Sequence, residues 1–503
     1  MLIKNILSAR ILGLLAGPLF GFGVILFFEL DSFNPATSKM AGIAIWMAIW
    51  WITEATPLAV TALLPVVLFP VFGIMNGKTV STIYFNHIIL LFIGGFLVAL
   101  AMEKWNLHRR IALKILMLTG NSPKSILAGF MIATAFLSMW ISNTATTMMM
   151  APIALAVVAR FEKIAGAENI KKYSIGIFLG VAYSASIGGI ATLVGTPPNL
   201  SFARILNILF ENAPEISFAS WFAFAFPISI VFLVILWFFL SQIFKPTKNS
   251  LKLQKNTFRE QYENLDKISR EEVIVLIGFV SLAMLWLLRA DIHIGDLTIP
   301  GWARLFQNPK YFNDGTVAIA VAIVLFLIPA KNGKTILDWE TAAKIPWHIV
   351  LLFGGGFALA SGFKESGLAE FLGQKLTGVG SLHPILIVAA ICLFVTFLTE
   401  LTSNTATAEM LLPILGALAI AIKINPLMLM IPATLSCSCA FMLPVATPPN
   451  AIIFGTNRLK IPEMARVGIW LNLIGVLIIT TAIFVIGKVV FEIDLAQLPD
   501  WAK

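Results

Sequence analysis

Apolar runs of about 20 residues recur along the whole chain, each long enough to cross a hydrocarbon core of roughly 30 Å. They read at 10–30, 38–54, 57–75, 86–103, 173–210, 217–243, 272–290, 316–330, 345–363, 427–456 and 465–491. In lipid the backbone must satisfy its own polar groups, so these eleven runs predict helices. The ten-residue alternation of a membrane β-barrel does not occur. Only 12% of the residues are charged, about half the share in a soluble domain. The expected class is therefore an all-α polytopic membrane protein. The first run is too long for a cleavable leader and lacks a small-residue cleavage site, so it is expected to be retained. A net charge of +9 does not suggest nucleic acid in such a chain. It should appear instead as basic cytoplasmic loops.

Two further apolar blocks, 123–160 and 384–421, carry polar runs at their centres: ISNTATT at 141–147 and TSNTATA at 402–408. Loop charges decide how these blocks sit. Basic residues cluster before the first span (Lys4, Arg10), after the fourth (Lys104, Arg109, Arg110, Lys114) and before the fifth (Arg160, Lys163, Lys171, Lys172). Others lie in 245–270, after span eight (Lys331, Lys334) and before the last span (Arg458, Lys460, Arg466). With the N-terminus inside and eleven crossings, all of them face the cytoplasm, provided each block enters and leaves on the same side. The positive-inside rule thus predicts two re-entrant hairpins with SNT at their tips and an external C-terminus; the expected location is a bacterial-type inner (plasma) membrane. Non-helical backbone at that depth is tolerated where protein or water surrounds it.

The polar runs belong to an internal repeat. Asn143 and Asn404 stand 261 positions apart, and the same offset aligns HIILLFIGGF (87–96) with HIVLLFGGGF (348–357) and Pro152 with Pro413. GTPPN at 195–199 and ATPPN at 446–450 form a second pair, offset by 251. The repeated spans are the fourth and the ninth, so five crossings separate them and the halves have opposite orientation. Inverted repeats with interrupted helices near mid-bilayer are the architecture of secondary transporters. Proline removes an N–H and disfavours helix before it, so spans 173–210 and 427–456 should break at TPPN and release carbonyls.

The paired runs offer Ser, Thr and Asn oxygens, free carbonyls and half-helix termini, with no Arg, Lys or His among them. Neutral hard oxygens suit sodium and suit soft metals badly. Helix N-termini gather N–H donors and partial positive charge, which attracts anions. The reading is a pseudo-symmetric site for a small anion and its coupling cations.

WITEATPLAVTALLP (51–65), the GGF-then-LHRRIAL stretch (94–113), both SNT motifs and both TPPN runs resemble the divalent anion:sodium symporter family over nearly the whole chain. The resemblance implies a homodimer in the bilayer with a fixed scaffold and a transport domain that moves as an elevator. It implies a first sodium site at Ser138, Ser142, Asn143 and Gly195, and a second at Thr399, Thr402, Asn404 and the carbonyl of Ala446. The anion would meet Ser142, Asn143, Thr144, Ser403, Asn404 and Thr405, with Pro197 and Pro448 close by. Family symporters carry C4-dicarboxylates such as succinate, malate and fumarate; others carry citrate or sulfate, and some exchange anions. AMEKWNLHRRIAL is more similar to the symporters. The coupling ion is then Na+, with no organic cofactor. The chain divides into scaffold spans 1–4 at 1–122, a first transport unit at 123–210 and scaffold spans 6–9 at 211–383. A second transport unit follows at 384–456, and the last span with its external end at 457–503.

Rival readings stay open here. An exchanger of the same fold differs in sodium dependence, and a passive anion channel differs in saturation. A serine hydrolase needs a base near Ser142 or Ser403, and no His or Lys lies close in sequence. Small residues in membrane helices also serve close packing, but two matched copies, each followed by TPPN, favour a site. Cys392, Cys437 and Cys439 read as small packing residues. His87 and His348 read as structural residues at helix starts, and His108, His293 and His383 as loop residues. Glu54 reads as a cap or ion-pair partner, and 245–270 as a solvated cytoplasmic linker. Glu409 stands where the first hairpin has Met148; an ionisable residue at that depth is a functional candidate.

Overall fold

The computed structural model describes residues 2–246, 257–294, 297–375, 377–494 and 497–503. The described residues form helices, with one small antiparallel pair of strands, Ile292–Ile294 and Leu297–Ile299, between two of them. Among the described residues eight helices are long and apolar enough to cross a membrane, and five shorter apolar helices accompany them.

Exposed and buried surfaces separate along the outer helices. In the first, Leu2–Phe27, Leu12, Leu15, Leu19 and Phe27 are exposed. Gly13, Gly17 and Gly21 instead face the helix Pro35–Thr53, and a Cβ at any of them would collide with Thr53, Trp50 or the Gly42 carbonyl. Apolar side chains gain little by leaving lipid for protein, so small residues that let backbones approach set this contact.

The two GGF helices, His87–Lys104 and Trp347–Glu365, exchange partners between the halves. His87–Lys104 packs on Asp314–Leu327, with Gly94 against the backbone of Ala318. Trp347–Glu365 packs on the short helices Leu58–Thr61 and Leu64–Phe72, with Gly355 against Ala62. Gly94 and Gly355, equivalent in the repeat, are thus places where a neighbouring backbone leaves no room for a side chain.

Ion pairs fix the helix ends, and two of them, Arg110–Glu272 and Arg289–Asp314, are buried. Arg110 forms a bidentate bridge to Glu272 at 2.7 and 3.1 Å and also donates to the carbonyls of Leu265 and Asp266. Arg289 joins Asp314 and Glu215, and Lys104 joins Asp338 at 3.0 Å. Hydrogen bonding by Thr341 and Lys104 holds the Asp338 carboxyl well below the ordinary carboxylate range. Each pair joins segments distant in sequence.

Several expectations change in detail. Span 57–75 is interrupted, and span 173–210 starts earlier, as helix Ala167–Ile190. Residues 247–256 of the 245–270 linker lie outside the described residues. The rest is not simply solvated: Thr257–Glu263 is a helix with Phe258 buried against Phe130, because its aromatic face finds the amphipathic helix Leu107–Leu118 and the base of the first hairpin. His108 lies in that amphipathic helix and donates from Nδ1 to the Met102 carbonyl, His293 lies in a strand, and His383 caps a helix. Glu54 ends its helix at φ 47° and pairs with Arg10. All three cysteines are free and buried.

Candidate functional site

Each polar run sits at the turn of a helical hairpin. In the first, Ser122 caps and Pro123 opens the arm Pro123–Ser138, and Ser142 caps the return arm Asn143–Ala165 through Ala145 N–H. In the second, His383 caps and Pro384 opens Pro384–Thr399, and the return arm is Asn404–Ala421. Capping side chains and an N1 proline suit helix starts, and here they fix where each chain reverses.

The same hydrogen bond is made at both turns. Ser138 Oγ donates to Asn143 Oδ1 at 2.6 Å, and Thr399 Oγ1 donates to Asn404 Oδ1 at 2.8 Å. A hydroxyl on the outgoing arm therefore orients the amide that begins the return arm. Thr399 also reaches the Cys437 carbonyl at 2.9 Å, and Thr402 pairs with Thr407 at 2.6 Å. Among the described residues the hydroxyls of Thr144, Ser403 and Thr405 make no hydrogen bond, and neither do the amide N–H groups of Asn143 and Asn404. Each tip thus presents unengaged donors beside the N-terminus of a long helix.

The spans that follow both break before TPPN. Helix Ala167–Ile190 ends, and Pro197–Leu209 begins after Thr196; Leu427–Cys437 ends, and Pro448–Phe454 begins after Thr447. Pro197 and Pro448 are therefore first residues of the second half-helices. The last residue of each motif pins the released carbonyls. Asn199 Nδ2 donates to Gly189, Ile190 and Thr192 at 3.3, 3.2 and 2.7 Å. Asn450 Nδ2 donates to Ala440 and Leu443 at 3.1 and 3.0 Å.

Gly189 connects the first hairpin to the first break. A Cβ there would lie 2.6 Å from Asn143 Oδ1 and 3.0 Å from the Gly195 carbonyl oxygen. Ser138, Asn143 and Gly195 are thereby gathered round one glycine, with Ser142 next in the chain. In the second half Thr399 and Asn404 are joined directly, whereas the Thr402 hydroxyl is turned into its own hairpin and Ala446 bonds through its N–H to the Leu443 carbonyl.

Residues 9–493 match the sodium:sulfate symporter transmembrane region. The chain is 43% identical over 504 residues to the sodium-dependent dicarboxylate transporter SdcS of Staphylococcus saprophyticus, covering 98% of this chain and 94% of that protein. Against SdcS of Staphylococcus aureus strain MRSA252 the identity is also 43%, over 502 residues and the same shares. The chain belongs to the sodium:sulfate symporter family. As a member of that family it is an integral membrane transporter and not an enzyme. Two solved structures share the fold at 12% identity and a TM-score of 0.56: Neisseria gonorrhoeae MtrF, from a class of antimetabolite efflux pumps, and Alcanivorax borkumensis YdaH. They cover 92% and 90% of this chain, and this chain covers 97% and 98% of theirs.

The roles of three residues near the two tips are not given by motif. Asn199 and Asn450 were legible as parts of TPPN, but their role as clamps needed the fold. Glu400 follows Thr399 at the second tip, where the first repeat has Met139. Its Oε1 accepts from Phe441 N, Met442 N and Asn472 Nδ2 at 2.7, 2.8 and 2.8 Å, and its Oε2 from Leu443 N at 3.0 Å. The first half makes the corresponding link with opposite polarity: Thr192 Oγ1 donates to the Met139 carbonyl at 2.5 Å. The available signal for Glu400 was an acidic residue inside an apolar run.

Proposed function

We propose that this transporter is a sodium-coupled symporter of small divalent anions, most directly C4-dicarboxylates such as succinate, malate and fumarate, working by alternating access of the elevator type in the plasma membrane. The observation that carries the reading is the doubled bond Ser138–Asn143 and Thr399–Asn404. It fixes each amide oxygen beside a neutral hydroxyl oxygen and leaves each amide N–H without a partner among the described residues. Neutral oxygens suit a hard monovalent cation, and free N–H and O–H donors at helix starts suit a carboxylate. In this reading sodium site 1 is Ser138, Ser142, Asn143 and Gly195, and site 2 is Thr399, Thr402, Asn404 and Ala446. The anion lies between Ser142, Asn143, Thr144, Ser403, Asn404 and Thr405, near Pro197 and Pro448. The naming of the SdcS relatives as sodium-dependent dicarboxylate transporters supports the ion and the substrate class.

Alternating access is supported by unlike surroundings at equivalent positions. Met148 is 60% exposed, whereas Glu409 at the same place in the second hairpin is 0% exposed. Exchange of these two environments is what an inverted repeat needs in order to open first to one side and then to the other. The same reading assigns eleven crossings and two re-entrant hairpins, a cytoplasmic N-terminus, an external C-terminus and a homodimeric scaffold.

The deciding experiment is uptake into proteoliposomes. Saturable succinate uptake should follow an inward sodium gradient and rise cooperatively with sodium. Uptake indifferent to sodium but driven by internal dicarboxylate would make the protein an exchanger, and uptake that does not saturate would make it a channel.

A further inference from the structure

Glu409 lies in a seam of three mutually packed helices: its own, Asn404–Ala421, with Pro197–Leu209 and Trp347–Glu365. It is wholly buried. Oε1 accepts from Ser201 Oγ at 2.5 Å, while Oε2 is buried with no partner among the described residues. Oε2 presses on Gly356, occupying the place a Cβ there would take. The equivalent glycine of the first repeat, Gly95, meets Val194 and Trp286 instead, and the equivalent of Glu409 is the exposed Met148.

A carboxylate sealed this way, with no cation bonded to it, is strongly disfavoured; the neutral acid leaves a single O–H unpaired and is disfavoured far less. A metal ion does not resolve the imbalance. Its oxygens would have to surround it, yet Oε2 abuts a glycine Cα and the Ser201 hydroxyl already spends its proton on Oε1. The ionisable groups on the packed helices are Arg204, one turn past Ser201; His348, Lys364 and Glu365 at the ends of Trp347–Glu365; and Cys437 on Leu427–Cys437. Glu400 ends the outgoing arm, Lys39 lies on Pro35–Thr53, and Glu370 and Lys375 lie on Leu368–Lys375. None of them hydrogen-bonds Glu409 among the described residues.

We propose that Glu409 is a proton-binding site whose Oε2 must carry a proton for this three-helix seam to close. The proton is taken from water when the seam opens and Glu409 becomes as exposed as Met148 is here. It is returned to water at the next opening. This rests on the alternating-access reading and not on which ion drives uptake.

The test is counterflow of fumarate in proteoliposomes, with equal pH and equal sodium on both faces; fumarate stays doubly ionised over the range used. No gradient is involved, so the outcome is independent of sodium coupling, which separate net-uptake measurements address. Wild-type counterflow should rise at least about threefold between pH 8 and pH 6, the span over which one buried carboxyl can change its protonated fraction substantially. E409Q, neutral at every pH, should run at the low-pH rate and show no pH dependence. E409M, which installs the residue of the first repeat, should do the same if E409Q does not fold. A flat wild-type profile, or a wild-type pH profile retained in either neutral variant, overturns the proposal.

Discussion

Ser138 Oγ reaches Asn143 Oδ1 at 2.6 Å across the first hairpin turn, and Thr399 repeats the bond to Asn404 in the second. Each hydroxyl holds an amide in one orientation before any ion arrives. Ser138→Ala and Thr399→Ala should therefore raise the sodium concentration for half-maximal uptake by about fivefold each, the weight of one hydrogen bond near 1 kcal/mol. Thr399→Ser keeps the hydroxyl and should behave as wild type. Sodium titrations of succinate uptake test this, and unchanged half-saturation in both alanine variants would remove these two hydroxyls, and the amides they hold, from the sodium sites.

Asn199 and Asn450 clamp the carbonyls freed at the two breaks. Alanine at either position leaves buried carbonyls unpaired, at about 1–3 kcal/mol for each such group. Thermal unfolding of the detergent-purified protein should show a clear loss of stability in both variants, larger for Asn199→Ala, which loses three bonds rather than two. Equal melting of wild type and both variants would mean that water or neighbouring helices replace the clamp.

Glu400 accepts four N–H donors and ties the second break to its hairpin tip. Glu400→Gln has one acceptor oxygen in place of two and turns an NH2 toward backbone donors. Hydrogen bonds to a charged group contribute about 1.5–3 kcal/mol, so the variant should be destabilised by at least one such bond. Its sodium dependence should shift with it, because the adjacent Thr399 loses its fixed frame. Transport and melting both at wild-type values would show that the carboxylate is dispensable.

Much of this was legible in the chain before folding. The hairpin tips at Ser142–Asn143 and Ser403–Asn404 followed from loop charge, because only blocks that enter and leave on the same side keep every basic cluster in the cytoplasm. The helix breaks followed from Pro197 and Pro448. The glycine pairs were visible as a repeat, but not the partner each admits: Gly94 meets Ala318, and Gly356 meets Glu409. Those contacts join segments far apart in sequence, and local pattern carries no information about them. Glu400 was hidden for a related reason, since three of its four donors are main-chain N–H groups that any residues in 441–443 would supply, and the fourth, Asn472, lies 72 positions away.

Orientation is testable without transport. The reading places residue 460 in the cytoplasm and residue 500 outside, on opposite sides of the helix Ile461–Ala482 and its continuation to Val490. Lys460→Cys and Asp500→Cys, each as the single reactive cysteine, should be labelled by a membrane-impermeant thiol reagent from opposite faces. Labelling of both from one face would contradict a crossing by the last span and with it the count of eleven.

The tips carry no fixed cation, so the charge of a bound anion must be offset by sodium and by helix starts. Two equivalent sets of free donors, at Thr144 and at Ser403 and Thr405, fit a molecule with a carboxylate at each end better than a compact sulfate. Thr144→Ala and Thr405→Ala should each weaken apparent succinate affinity by about 1 kcal/mol or more, the scale of a hydrogen bond to a charged group, with little change in maximal rate. Succinate should compete more strongly than sulfate or citrate near neutral pH. Citrate enters best in a doubly charged form, so its competition should improve as pH falls, and that of sulfate should not change. Sulfate as the preferred substrate with sodium dependence intact would overturn the C4 assignment while leaving the two-tip site in place. Citrate competing best at every pH would overturn it as well, because a site built from two matched carboxylate grips has nothing to offer a third charge.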